Sequence, residues 1–327
     1  MIYRNNIVLT GVIHGLVLCI LWFSRHGEAK AVSCDEIGGN FELNFLSVGV
    51  SAGYENWLLP YAFFALASNR NSSAEIVVQN ASSFRRKFSL LLDTACLAFP
   101  NRILVRNLSS ATLNKAEGLH ASNDVFRFLE VPVVSSIYTY IGDVDILTLD
   151  ENIVEQHVQH MGKIGLPYSN AVRDYNVDLR FRRLTGLHFV RNSDYYSERL
   201  FKSIESFVRQ TNNDEVILQN ICRVAFGLPP QTSEKFRPVH GIHLSNSRGK
   251  GGMALSAHCN ECKRYKQVAN ASWMRLAMHV SRTMQLVNDK TVALCSCCKS
   301  SNFSCRMNNV KKTSMWLKQF VSTLNRL

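Results

Sequence analysis

Short apolar runs that end in turn residues alternate along this chain with longer stretches whose apolar positions recur at helical spacing. That alternation leaves few architectures open. Phe45–Val50 reads as a buried strand ending in the turn-prone Ser51-Ala52-Gly53, and Trp57–Ala67 carries aromatics and leucines along one helical face. Ala74–Val78 is a second buried strand, Ser83–Leu92 a helix and Arg102–Arg106 a third strand. Val125–Leu129 leads into a strand over Tyr138–Asp145, followed by a helix over Asn152–Met161, a strand over Leu187–Val190 and a long amphipathic helix over Tyr195–Gln210. Another helix, Glu215–Phe226, stops before Pro229-Pro230. Strands that are apolar throughout, with helices between them, predict an α/β fold: a mostly parallel sheet flanked by helices on both faces.

The chain has 327 residues, 46% of them hydrophobic, which allows one large α/β domain and a smaller appendage. The expected division is a targeting segment over 1–26, a linker over 27–41, the α/β domain over 42–257 and a Cys-rich basic appendage over 258–327 with helical stretches at Trp273–Val287 and Met315–Leu327. Lys and Arg outnumber Asp and Glu by 37 to 25, a net charge of +12 that draws anionic partners. The excess is scattered over Arg85-Arg86-Lys87, Arg180, Arg182-Arg183 and Lys311-Lys312, with no basic helical stripe, so nucleic acid is not the expected partner. Ile7–Phe23 is a mostly apolar run between Arg4 and Arg25, at the short end of what crosses a bilayer. It predicts membrane targeting, as a signal anchor or as a signal peptide cleaved near Ala29-Lys30-Ala31. Five Asn-x-Ser sequons (Asn71, Asn80, Asn107, Asn270, Asn302) suit a glycoprotein but stand too close to chance to decide anything.

The segment that carries chemistry is Tyr138–Leu147, in which an apolar run meets Asp143 and Asp145, one residue apart, and apolar residues resume at once. On an extended chain, positions i and i+2 project from one face, so both carboxylates are expected to point together from buried surroundings. Two like charges held that way repel, and burying either alone costs several kcal/mol, roughly. A divalent cation relieves both costs, and oxygen ligands suit Mg²⁺ or Mn²⁺. An EF-hand loop would need further ligands and a fixed glycine, and Ile146-Leu147-Thr148 supplies neither. A phosphatase of the haloacid-dehalogenase type would have its acids near the first strand, with Thr or Val where Leu147 stands.

With Leu43–Ser51, Tyr54–Asn69 and Ala74–Val78, this segment resembles the opening βαβ and metal-binding D-x-D of GT-A (Rossmann-like) glycosyltransferases. The later Arg237–His243 is similar in placement to the histidine that completes the metal site in the glycogenin-like branch. That branch has H-x-x-G-x-x-K-P-W; this chain has no Lys-Pro-Trp, and Arg248-Gly-Lys250 stands where its phosphate contact would be. The resemblance covers roughly Leu43–Ser247. It implies a metal-dependent transferase that moves a sugar from a nucleotide-diphosphate-sugar donor to a glycan or glycoprotein acceptor. Asp143, Asp145, His240 and His243 are then the metal candidates, for Mn²⁺ or Mg²⁺. Arg127, Arg248 and Lys250, with the two aspartates, are donor candidates. Asp214 and Glu215 are the catalytic pair, read otherwise as ordinary acids in a first helical turn that Asn213 or Asp214 caps. Tyr168, Asn170, Thr185, Gly186 and His188 are acceptor-side candidates.

With the apolar segment, this implies a type II protein of the Golgi or ER membrane with a lumenal catalytic domain, or a secreted or extracytoplasmic one if the segment is cleaved. Six cysteines of the appendage (Cys259, Cys262, Cys295, Cys297, Cys298, Cys305) are then expected in disulfides rather than around zinc. The 32 residues between Cys262 and Cys295 exceed the usual zinc-ribbon span of about 15–20. Two other functions remain open: a non-catalytic lumenal carbohydrate-binding protein, and a metal-dependent phosphoryl-transfer enzyme. The second would need a further cluster of acids or histidines for a second ion.

Overall fold

The structure, a computed structural model, describes residues 37–50, 54–119, 125–174, 176–179, 181–206, 213–236, 238 and 240–243. The N-terminal apolar run, the Cys-rich appendage, Arg248 and Lys250 lie outside the described residues. Among the described residues no helix is long and apolar enough to cross a membrane.

The expected architecture is present as a six-stranded, mostly parallel sheet. Its first half is β1 (Phe41–Gly49), α1 (Glu55–Ser68), β2 (Ser72–Val78), the two short helices α2 (Ala81–Lys87) and α3 (Ser89–Ala98), and β3 (Ile103–Asn107). After α4 (Ser110–Leu119) and one turn of helix, α5 (Phe126–Leu129), the chain returns through β4 (Ser136–Ile141) on the other side of β1. Then come β5 (Ile146–Thr148), α6 (Ile153–Ile164), β6 (Tyr168–Ser169), the β7–β8 ladder (Val172–Arg173 with Arg183–Leu184) and β9 (His188–Arg191). Helices α7 (Asn192–Tyr195), α8 (Glu198–Ser206) and α9 (Asp214–Ala225), and β10 (Gly241–His243), complete the described chain. The strand order is β3-β2-β1-β4-β9-β6, with β9 alone antiparallel to its neighbours.

The strands read as unbroken apolar runs because both faces of the sheet are covered. Adjacent residues divide between two cores: Phe45, Ile76, Tyr140 and Phe189 face the α1–α3 side, while Leu46, Val77, Ile141 and Val190 face the α5, α8 and α9 side. This is the period of two that a pleated strand imposes.

Three sequence expectations are corrected. The helix expected over Ser83–Leu92 is two helices, because Phe88 leaves helical geometry (φ −115°, ψ 22°) and its ring turns inward against Phe84, centroids 4.8 Å apart. The helix expected from Tyr195 is divided into α7 and α8 at Tyr196-Ser197. The strand expected to run through Asp145 stops at Ile141. Beyond it the chain turns, with the Ile146 N–H donating to the Asp143 carbonyl at 3.1 Å, so the two carboxylates leave a tight turn rather than one face of a strand. Gly142 makes that exit possible, since a Cβ there would lie 2.7 Å from the Tyr140 ring and 2.9 Å from the Tyr61 hydroxyl.

Candidate functional site

The strand order reverses between β1 and β4: the chain leaves β1 toward β2 and β3, then comes back on β1's other side. In open α/β sheets, ligands settle at such a reversal, outside the carboxyl ends of the strands. Here the D-x-D turn follows the carboxyl end of β4. The start of antiparallel β9 reaches the same edge, with His188 opposite Ile141, and the carboxyl end of parallel β6 lies beside it. Topology therefore gathers residues 142–145, 170 and 185–188 at one edge of the sheet.

Arg127, from the single turn of α5, lies at the centre of the cluster. Its guanidinium bridges two carboxylates, hydrogen-bonding Asp143 through Nη1 and Asp214 through Nη2 at 2.8 Å. Burial works against its charge, but the attraction of Asp143 and Asp214 outweighs that, and its pKa lies above the ordinary arginine value. Gly186 sits directly against this pair; a Cβ there would be 2.9 Å from Arg127 Nη2 and 3.0 Å from Asp143 Oδ1.

Asp214 and Glu215 open α9, and the cap is Asn213, whose side chain accepts from the Val216 N–H at 3.2 Å. Both acids are therefore released from capping and face the cluster. Glu215 accepts from the Gly186 N–H at 2.9 Å and lies 3.6 Å from Arg173 and 3.4 Å from Arg183. Burial pushes its carboxyl above the usual range, against the pull of Arg173, the Gly186 amide and Arg183.

Of the acceptor-side candidates, Gly186 stands in the cluster itself; Tyr168, Asn170, Thr185 and His188 are buried beside it, and Asn170 and Thr185 also line a small cavity with Arg173 and Leu187. Asn170 is buried, accepts from the Thr185 N–H (2.9 Å) and hydroxyl (2.6 Å), and donates to the Thr185 carbonyl (2.9 Å) and to His188 Nδ1 (2.9 Å). His188 is fully buried, and burial lowers its pKa to about 3, so it is a neutral structural ring. Tyr168 is likewise buried, its hydroxyl donating to the Gly227 carbonyl at 2.8 Å. This polar knot fixes the loop that carries Gly186.

Of the metal candidates, Asp145 is buried and Asp143 is partly exposed and engaged by Arg127. His240 is held elsewhere: its Nδ1 lies 3.0 Å from Asp150 and its Nε2 2.8 Å from His157 Nε2. Both ring nitrogens are thus committed to the core. Strand β10 pairs antiparallel with β5, placing His243 opposite Ile146, one position from Asp145. Among the described side chains no three of His, Cys, Asp or Glu gather closely enough to hold an ion, and the His243 side chain lies outside the described residues. The set left by this geometry is Asp143, Asp145 and the His243 position; carboxylates with one imidazole have the donor chemistry that Mn²⁺ or Mg²⁺ accepts.

Sequence reading missed Tyr61. It is buried, its hydroxyl has no hydrogen-bond partner among the described residues, and it lies close enough to Asp143 and Arg127 for both to perturb it. Nothing in α1 distinguishes it from the core aromatics around it. Arg173 and the group Asp150, His157, His160 and Ser169 were also missed, although His157 and His160 stand three apart on one face of α6.

Neither protein-family profiles nor curated proteins give a match to the sequence. Among solved structures, the bifunctional IspDF from Campylobacter jejuni is similar at 9% identity and a TM-score of 0.33, over 57% of this chain and 48% of that one. The matched part thus spans about half the length of that structure, a likeness too slight to build on.

Proposed function

We propose that this chain is a glycosyltransferase moving a sugar from a nucleotide-diphosphate donor to a glycan or glycoprotein acceptor. One observation carries the reading. Charged side chains from separate elements (Arg127 on α5, Asp143 after β4, Asp214 and Glu215 at the start of α9) converge on Gly186 at the edge where the strand order reverses.

The convergence divides the labour of glycosyl transfer. A diphosphate needs a cation that stays charged and fixed, and Arg127 is both, oriented by Asp214 and Asp143. Asp145, with Asp143 and His243, would hold Mn²⁺ or Mg²⁺, which when bound supplies neutralising charge for the departing diphosphate. An acceptor hydroxyl needs a base, and Glu215 is partly buried with a raised pKa, which makes it the stronger proton acceptor. It takes the proton as the hydroxyl oxygen bonds to the anomeric carbon, while the bond to the diphosphate oxygen breaks and its electron pair leaves with the diphosphate. Gly186 lets the backbone stand between base and guanidinium with no side chain in the way.

The test is a panel of nucleotide sugars scored by thermal stabilisation with and without Mn²⁺. At least one donor is expected to raise the melting temperature only with metal. Asp145→Asn should abolish that shift, whereas Glu215→Gln should keep it and lose turnover by about 100-fold or more. A panel in which no donor moves the melting temperature refutes the reading.

A further inference from the structure

Away from the charged cluster, five polar side chains form a continuous run through the interior. Asp150 Oδ2 lies 3.0 Å from His240 Nδ1, and His240 Nε2 lies 2.8 Å from His157 Nε2. His157 Nδ1 is 2.7 Å from Ser169 Oγ, which is in turn 2.8 Å from His160 Nδ1. In the form in which each ring carries a single proton, the direction is fixed from one end. A carboxylate only accepts, so His240 carries its proton on Nδ1 and offers a lone pair at Nε2. His157 then donates from Nε2 and accepts at Nδ1 from the Ser169 hydroxyl, which accepts from His160 Nδ1–H. Each ring is held to one tautomer. The rings are also packed: His157 stacks on Phe189 at 4.6 Å and 2°, and His160 on Phe236 at 3.8 Å and 12°.

None of these five groups has a part in the reaction proposed above. What the run holds is His240, which has φ +57°, a conformation that costs a residue with a Cβ and persists only where its surroundings impose it. The His240 carbonyl also accepts from the Leu149 and Asp150 amides, at 2.8 and 3.1 Å. This is the point where the chain enters β10. That strand has three residues, too short to keep its own register, and it pairs with β5 immediately beyond the D-x-D turn.

We propose that His240, with His157 and Asp150 behind it, is a positioning residue for the donor site. The buried run fixes the left-handed entry to β10 and so holds Gly241–His243 in register beside Asp145. The purpose assigned to that register rests on the glycosyl-transfer reading; the latch itself does not.

The experiment is hydrogen exchange on the full-length chain, comparing the amides of β5 and β10 with those of β1 and β2. His157→Phe keeps a ring to stack on Phe189 and removes both hydrogen bonds. Exchange in β5, β10 and the Leu149 and Asp150 amides is expected to rise by about tenfold or more, with β1 and β2 unchanged. His157→Gln retains an N–H donor toward His240 and should recover much of the protection. In kinetics with the donor found above, His157→Phe should raise KM by about tenfold and leave kcat within about threefold. A role in packing alone would speed exchange across the whole core and show no recovery with Gln. Unchanged exchange in β5 and β10 overturns the proposal whether or not any donor binds. If the wild-type protein takes no nucleotide sugar, the functional reading falls and the exchange result still decides the latch. Should His157→Phe not fold, Asp150→Ala, at the partly exposed end of the run, is expected to accelerate the same amides and is read the same way.

Discussion

Gly186 is the residue at which this site is most sensitive to a single methyl group. The atoms that a Cβ would meet, Arg127 Nη2 at 2.9 Å and Asp143 Oδ1 at 3.0 Å, are the ends of flexible side chains. They can move aside at little cost to the fold, but only by separating the ion pair that positions the guanidinium. Gly186→Ala is therefore expected to cost about 1 kcal/mol of unfolding free energy and to weaken donor binding by about a hundredfold or more, a proportionally larger loss, read by titration calorimetry. Equal losses in stability and binding would contradict this account. Charge among apolar neighbours drew attention to Asp143 and Asp145, whereas Asp214 and Glu215 stood out only as acids in a first helical turn, where capping was an equally good account. Their partners were not legible. Nothing in sequence says that Arg127 spans Asp143 and Asp214 across 87 positions, or that the Tyr61 hydroxyl lies beside them rather than at the surface. The two histidines of Arg237–His243 looked equivalent on paper, and only the buried partners Asp150 and His157 separate them.

At the scale of elements, α9 matters through its first turn. Asn213 caps it, leaving Asp214 for Arg127 and Glu215 for the Gly186 amide. Asn213→Ala should cost about 1 kcal/mol of stability, measured by urea unfolding, while Asn213→Ser costs only a few tenths. If the cap also aims the two acids, the alanine variant loses turnover and the serine variant keeps it; equal turnover in both would limit the cap to stability. The elements themselves were largely readable, β1, β2, β3 and α9 each to within a few residues, because their apolar runs are long or periodic. The failures occur where a single side chain outweighs the local pattern. Phe88 breaks a helix without glycine or proline because its ring is worth more in the core. Gly142 ends β4 before the aspartates because the Tyr140 and Tyr61 side chains fill the space a Cβ would need. The antiparallel direction of β9 leaves no trace in its sequence, since a strand buried on both faces reads the same either way.

For the whole molecule, the burial of neutral imidazole makes acid the expected route to unfolding. Burial holds His157 well below the ordinary histidine value, and a positive charge on the neighbouring ring of His240, His160 or His188 would lower it further. Burial, aided by Lys163, lowers His160 to about 4, and burial lowers His188 to about 3. An unfolded chain binds protons at these positions from about pH 6.5 downward, whereas in the folded chain His160 refuses its proton until about pH 4, His188 until about pH 3, and His157 until well below its ordinary range. Stability is therefore complete above about pH 6.5 and is lost as pH falls toward 4; His188 alone accounts for about 2 kcal/mol between pH 6.5 and 5. Glu215 and Asp93, whose carboxyls are raised by burial, act in the opposite sense, though over a lower interval near the ordinary carboxylate range. The urea midpoint should consequently drop between pH 7.5 and 5, and His188→Leu should flatten the drop even though the substitution costs stability at neutral pH. A midpoint that stays level over this interval would mean that the rings are hydrated or already charged in the folded protein. The order of donors and acceptors through His157 and His160 would then have to change, since a ring with both nitrogens protonated accepts no hydrogen bond.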